Sequence, residues 1–375
     1  MPAPAEPLLF VFDAHCDVVQ AVCDRGVDLG RRQAATHFDL PRARSGGVRA
    51  QVLALFVDPS RFKGEPAWRR TRQMLTALER TAAAHPGRFA LVRSAGAVRD
   101  GLRAGQVCGL LGLEGAHGLG TSEPRKVRSR LEWLMERGLR VFGLTWNNSN
   151  ALAGAAVDGG GGLTRLGREV VGACQRHGVL VDLSHSSDET ARDVLRVSRA
   201  PVFASHSNAR ALCEVPRNLP DDLLRAIGRA GGMVCANFYP GFLDARAFRA
   251  IAAGQAAFAN RFEELERRFR TDPAGRMLAE RRLARSAMRE VPRVPLARVV
   301  DHLLHLLRTA GEGAVGLGAD FDGMLLTPVG LEDVRCYPRL AQALRRRGVA
   351  DEVVRGLMGE NLLGLLERAE ERGAR

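Results

Sequence analysis

Lysine is nearly absent from this chain: Lys63 and Lys126 are the only two among 55 basic residues, the rest being arginine spread through every segment. The formal net charge of +13 therefore comes without a localised basic stripe, and aromatic residues make up only 5% of the sequence. A nucleic-acid surface needs clustered charge interleaved with stacking rings, so nucleic acid is excluded as the expected partner. Cysteine is also sparse. The seven cysteines (16, 23, 108, 174, 213, 235 and 336) are odd in number and never spaced C-x-x-C, which argues against both a disulfide framework and a thiolate zinc site. No apolar run approaches the about 18 residues that a membrane span requires, so no membrane association is expected. The start, MPAPAEPLLFVF, lacks a basic stretch before its apolar residues, and a secretory signal is not expected. The end, LLERAEERGAR, is charged and helical in pattern, unlike a lipid-anchor tail. A cytoplasmic location is the expectation.

What is present is a chain of 375 residues, 46% of them hydrophobic, enough for one large core. Eight short runs rich in Val, Leu and Phe recur at 8–12, 50–57, 107–113, 139–145, 178–183, 201–204, 232–237 and 314–319. Helix-period segments such as 66–84 and 187–198 separate them. Continuous rather than alternating apolar strands indicate a parallel sheet covered on both faces, and eight is the number that closes a (β/α)8 TIM-like barrel. Residues 1–375 are read as a single barrel domain, with an Arg-, Glu- and Ala-rich helical excursion at about 241–296. The glycine run at 158–162 follows no strand directly and reads as a loop rather than a phosphate cradle.

In such barrels the chemistry sits at the C-terminal ends of the strands. His15 and Asp17 follow the first run, and alternation puts both on one face of an extended chain. Glu114 follows the third run, His185 the fifth, His206 the sixth and Asp320 the eighth. Carboxylates and imidazoles gathered in this way suit two divalent cations of the zinc type. Two such ions need a shared ligand. Neither lysine ends a strand, which leaves Glu114 as the candidate bridge. His302 and His305, at i, i+3 before the last strand, read as structural. His37 reads as a loop or core residue, and His117 as either support for Glu114 or packing.

The segments DAHCD, HFDLPRARSGGVRAQ, GLEGAHGL, LTWNNSN, GGLTRLGREVV and VDLSHSS, with APVFASHSNARALCEVPRNLPDDLLRAI, NFYP, VGLGADFDG, LEDVRCYPRL and GENLLGLL, together resemble the renal (membrane) dipeptidase family of zinc peptidases, within the amidohydrolase group. The resemblance covers nearly the whole chain. It implies a binuclear zinc dipeptidase acting on L-Xaa-L-Xaa or L-Xaa-D-Xaa dipeptides, with two Zn²⁺ per chain. By the same resemblance His15 and Asp17 hold one zinc, His185 and His206 the other, and Glu114 bridges them. Arg217 is implied to engage the substrate, and Asp320 to be the acid/base carboxylate. The chain departs from some members at Trp146, which stands where they carry a substrate-contacting histidine; indole offers one donor and no positive charge. Trp146 is therefore expected to bear on substrate choice. The residues leave open a hydrolase of another small amide and a non-catalytic binding protein on the same barrel, and they also leave a homodimer open.

Overall fold

The computed structural model describes residues 9–270 and 272–374. Nine strands appear in the described chain: β1 (Val11–Cys16), β2 (Val48–Phe56), β3 (Phe89–Leu91), β4 (Val107–Glu114), β5 (Leu139–Gly143), β6 (Leu180–Asp182), β7 (Phe203–Ala204), β8 (Met233–Ala236) and β9 (Val315–Leu317). All pair in parallel. Successive pairings run from β4 through β5, β6, β7, β8 and β9 to β1 and β2, and a long β2–β4 ladder from Ala50–Cys108 to Phe56–Glu114 closes the ring. The result is a closed eight-stranded (β/α)8 barrel.

All eight expected runs supply a barrel strand, with shifted ends. Leu8, in the first run, lies outside the described residues, as do residues 1–7 of the start discussed above. β1 continues through His15 and Cys16, and Glu114 is the last residue of β4, so these two ligand candidates lie within strands rather than after them. The sequence reading missed β3, which pairs Phe89–Leu91 with Val107–Gly109 of β4. β2 holds the other edge of those residues, and β5 takes over the β3 side from Leu111 onward.

The strands read as unbroken apolar runs because both faces are covered: every residue of β4 is buried. Glu114, Gly112, Leu110 and Cys108 alternate onto one face of β4. Leu110 and Cys108 belong to a cluster with Phe12, Val52, Val141, Leu180, Phe203 and Met233, into which the C-terminal helix Asn361–Gly373 adds Leu362, Leu363, Leu365 and Leu366. The opposite face, with Leu53, Leu55, Leu111 and Leu113, packs on helices such as Glu65–Ala84 through Met74, Leu75 and Leu78. Burying a side chain of this size is worth about 1.5–3 kcal/mol, so each strand is fixed from both sides and its end is a rigid mount.

Between β8 and the helix Leu296–Ala310 the chain forms helices Pro240–Leu243, Ala245–Ala257, Ala259–Arg268 and Pro273–Ala287, the expected helical excursion. No described helix is long and apolar enough to cross a membrane. All seven cysteines are free thiols. The glycine run at 158–162 is tied down through Asp158, which accepts from Ser149, and through the Gly161 carbonyl, which accepts from Ser187 Oγ.

Candidate metal centre

Five strand ends, those of β1, β4, β6, β7 and β9, deliver polar groups to one point. Glu114 is at its middle, and its two oxygens face different partners. Oε2 lies 3.4 Å from His15 Nε2, which is itself 3.3 Å from Asp17 Oδ2. Oε1 lies 3.0 Å from His185 Nε2 and 3.7 Å from His206 Nε2. Those two imidazole nitrogens are 2.9 Å apart, and the His15 ring, tilted by 40° to that of His206, has its centroid 3.9 Å away.

The backbone that presents these groups is unusual. His185, Asp320 and Asp322 are the only described non-glycine residues with positive φ, at 67°, 65° and 69°. Left-handed positions cost about 1–3 kcal/mol each and persist where surrounding structure over-determines them. Here the surroundings are specific. The His185 carbonyl accepts from Ala156 N at 2.8 Å, and its Nδ1 meets Asn147 Oδ1 at 2.9 Å. Asp322 accepts from the backbone of His37 and Phe38, while its own N–H donates to His37 Nδ1. His37 thus ties its loop to the turn after β9.

Below the ligands, Asp13 is fully buried and accepts from His15 N at 2.9 Å, Ala319 N at 3.2 Å and the Tyr337 hydroxyl. It links the ends of β1 and β9, the strands that carry His15 and Asp320. Burial pushes its carboxyl up to about 6 against those hydrogen bonds.

Asp320 Oδ2 accepts from Asn237 Nδ2 at 3.0 Å. Burial raises its carboxyl to about 7, His15 opposing the rise and Asp17 and Glu114 adding to it. Burial also works against the charge on Glu114, but His15 and His185 outweigh it and hold the carboxyl well below its usual range. Burial and the Arg217 guanidinium push His185 down to about 3. Arg217, 5% exposed, is itself lowered to about 10 by burial against the pull of Asp320 and Glu114. Its Nε has no partner, and its guanidinium lies 5.2 Å over the Phe242 ring. Trp146 is half-buried beside the cluster, 5.0 Å from the Phe56 ring and 6.1 Å from His185.

The structure thus brings together His15, Asp17, Glu114, His185 and His206, with Asp320, Arg217 and Trp146 around them. The donor set fits small divalent cations. Ligand atoms of His15, Glu114 and His206 lie within 4.8 Å of one another, and so do those of His15, Asp17 and Asp320. Buried His15 Nε2 and Asp17 Oδ1 have no hydrogen-bond partner, and buried polar atoms without partners are rare in native folds. The buried carboxylates of Asp17 and Glu114 and the half-buried one of Asp320 face one buried guanidinium, an imbalance that cations correct. Both lysines are exposed and neither lies in a strand or directly after one, so neither is placed as a bridge.

The other histidines are accounted for elsewhere. His302 is buried between Ala209 N and the Leu243 carbonyl, and His305 pairs with Asp221 at 2.8 Å. His117 Nε2 donates to the Val57 carbonyl at 2.6 Å. The sequence reading overlooked Asp13, Asn147, Asp182, Ser205, Asn237 and Tyr239. All lie in or close after a strand, where the ligands were sought, and Tyr239, whose phenol burial and Asp320 push up to about 12, belongs to the NFYP segment already singled out.

Comparison with known proteins places this geometry in a lineage. Residues 8–375 match the model of the membrane dipeptidase family, peptidase family M19. An uncharacterized dipeptidase of Schizosaccharomyces pombe is 31% identical over 350 residues, 89% of this chain and 74% of the relative. A metallo peptidase from Rhodobacter sphaeroides, solved with a phosphinate mimic of the dipeptide L-Ala-D-Ala, superposes with a TM-score of 0.78 at 28% identity, covering 97% of this chain and 100% of the other. The dipeptidase AC, a metallo peptidase of family M19, gives 0.79 at 29% identity, over 97% and 99% of the two chains. With its full barrel matched and its strand ends carrying a buried donor set, the chain belongs to the membrane dipeptidase family of metallopeptidases, M19.

Proposed function

We propose that this M19 dipeptidase works with two zinc ions, one that His15 and Asp17 would hold and one that His185 and His206 would hold, with Glu114 shared between them. The observation that carries the reading is the division of the Glu114 oxygens between two separate ligand pairs. When bound, such a pair supplies an acidified water as nucleophile near neutral pH and polarises the scissile carbonyl.

The chain's own residues do the rest. Asp320 accepts the proton released by the nucleophile and returns it to the leaving amine. Arg217, buried and with Nε unpartnered, pairs with the free carboxylate of the dipeptide, since a planar guanidinium fork holds a carboxylate bidentately. Trp146 walls the pocket and offers Nε1–H as its single polar contact. The substrates are L-Xaa-L-Xaa or L-Xaa-D-Xaa dipeptides; the L-Ala-D-Ala mimic bound by the Rhodobacter sphaeroides relative supports the second class.

Metal analysis with a dipeptide panel tests the proposal. Protein prepared without chelator should carry close to two zinc ions per chain, and Glu114→Ala should lose at least one, because the bridge serves both. A metal-free wild-type protein would overturn the reading. Two bound ions with no dipeptide cleaved, but an N-acyl amino acid or cyclic amide turned over, would move the substrate to another amide.

A further inference from the structure

Asp182, the last residue of β6, is 4% exposed, and both its oxygens accept hydrogen bonds locally. Oδ1 takes Ser184 N at 2.9 Å and Ser205 N at 2.8 Å, and Oδ2 takes Ser205 Oγ at 2.5 Å. Ser205, fully buried, lies 2.7 Å from His206 Nδ1. A hydroxyl has one proton to give. Its nearest acceptor is the carboxylate, not Ser184 Oγ at 3.4 Å. Ser205 Oγ therefore accepts from His206, so Nδ1 carries the hydrogen and Nε2 is left with its lone pair. His185 is set the same way, because Nδ1 meets the Asn147 carbonyl oxygen. Two lone pairs then face each other across 2.9 Å, with Glu114 Oε1 beside them. That contact has no proton to hold it and calls for a cation.

From this geometry we infer that Asp182 and Ser205 are positioning residues, a carboxylate–hydroxyl relay that fixes the His206 tautomer and so makes the His185–His206 half of the site competent for metal. The inference rests on the two-ion reading for its purpose, but the relay itself is a property of the metal-free chain. Carboxylate partners of metal-binding histidines act in this way when they touch the ring directly; here a serine stands between.

The relay has a polarity that one isosteric change reverses. In Asp182→Asn the amide oxygen keeps the two backbone N–H donors, which places the amide nitrogen opposite Ser205 Oγ. The amide now donates to the hydroxyl, the hydroxyl turns its proton to His206 Nδ1, and Nε2 takes the ring hydrogen. The metal lone pair is lost with the shape intact.

The test has two readouts. In metal-free protein labelled with ¹⁵N-histidine, the His206 signal, identified by its loss in His206→Gln, should report Nδ1–H in wild type and Nε2–H in Asp182→Asn. In a metal titration, Asp182→Asn should weaken one of two ions by about 10–100-fold and leave the other. Removing the hydroxyl as well should restore part of that loss, since the introduced amide in Asp182→Asn/Ser205→Ala can no longer invert the ring. A relay that only supports packing would make the double variant no better than the single one. An unchanged tautomer in Asp182→Asn overturns the inference. If that variant does not fold, Ser205→Ala alone decides: a mixed tautomer supports the relay and a retained Nδ1–H overturns it. Wild-type protein binding fewer than two ions would sink the two-zinc reading, while the tautomer readout would still judge the relay.

Discussion

At Asp320 the backbone is held left-handed, with φ at 65°, a conformation that Asn and Asp tolerate better than other side chains. Asp320→Asn is thus a clean test of the carboxylate: the backbone is kept, and the amide oxygen can still accept from Asn237. It should keep its metal and lose about 10²–10⁴-fold in kcat, the usual effect of removing a general acid–base group. Full turnover at full metal content would remove Asp320 from that role, and loss of an ion would make it a ligand, which its closeness to His15 and Asp17 allows. Trp146 poses a different question, because its ring rests on Phe56 and beside His185 without a hydrogen bond to any ligand. Trp146→His should redistribute kcat/KM across a dipeptide panel while both ions stay bound; an unchanged profile would reduce Trp146 to packing.

Among the elements, the helix Leu296–Ala310 shows how a titratable group can serve the fold alone. His302 on this helix is fully buried, with Nδ1 accepting from Ala209 N and Nε2 donating to the Leu243 carbonyl. Burial, with Arg298 adding to it, pushes its imidazole down to about 4. The folded protein then keeps His302 neutral at pH values where the unfolded chain already binds the proton. The contribution is complete above about pH 6.5 and is lost as pH falls from there toward 4, amounting to roughly 3 kcal/mol. His302→Gln should be less stable at pH 7.5 and flatten the dependence of Tm on pH between 6.5 and 4; an unaltered slope would show that other groups set it. The same scale explains what the sequence discloses. β2 and β4 are legible because both faces are buried, so nearly every residue is apolar. β3 is not, because its apolar run of four residues, 89–92, is too short for periodicity to tell a strand from any other buried segment. Ligands such as His185 and His206 stand out as imidazoles just past strand ends. Asp182 and Ser205 occupy equivalent places, but an aspartate and a serine there look like any polar loop. Only their pairing across β6 and β7, which no local pattern encodes, gives them a role.

For the whole molecule, the arginine excess raises the question of how a highly charged chain holds its excursion on the barrel. The helix Ala259–Arg268 has no buried residue among those described, while Pro273–Ala287 buries Leu283, Ala284 and Ala287. Between them and the loop after β2 runs an alternating chain of ion pairs. Arg61 Nε meets Asp58 at 3.2 Å, its Nη2 meets Glu280, Arg276 Nε meets Glu280 at 2.7 Å, and Arg276 Nη1 meets Glu266 at 3.1 Å. The central groups are only 13–23% exposed, so salt screens them less than open surface pairs, and neutralising the shared acid leaves two guanidinium groups partly buried and short of a partner. Glu280→Gln should therefore loosen the excursion rather than unfold the barrel. Discounted for partial exposure, the loss is about 1 kcal/mol, or roughly fivefold faster hydrogen exchange across 245–287 with the strands unchanged. Because the excursion begins at Asn237 and Tyr239, next to Asp320, the same change should raise KM more than it lowers kcat. Exchange that accelerates equally in β4 and in the excursion would mean that the ion pairs support the barrel as a whole and that the excursion has no separate hold.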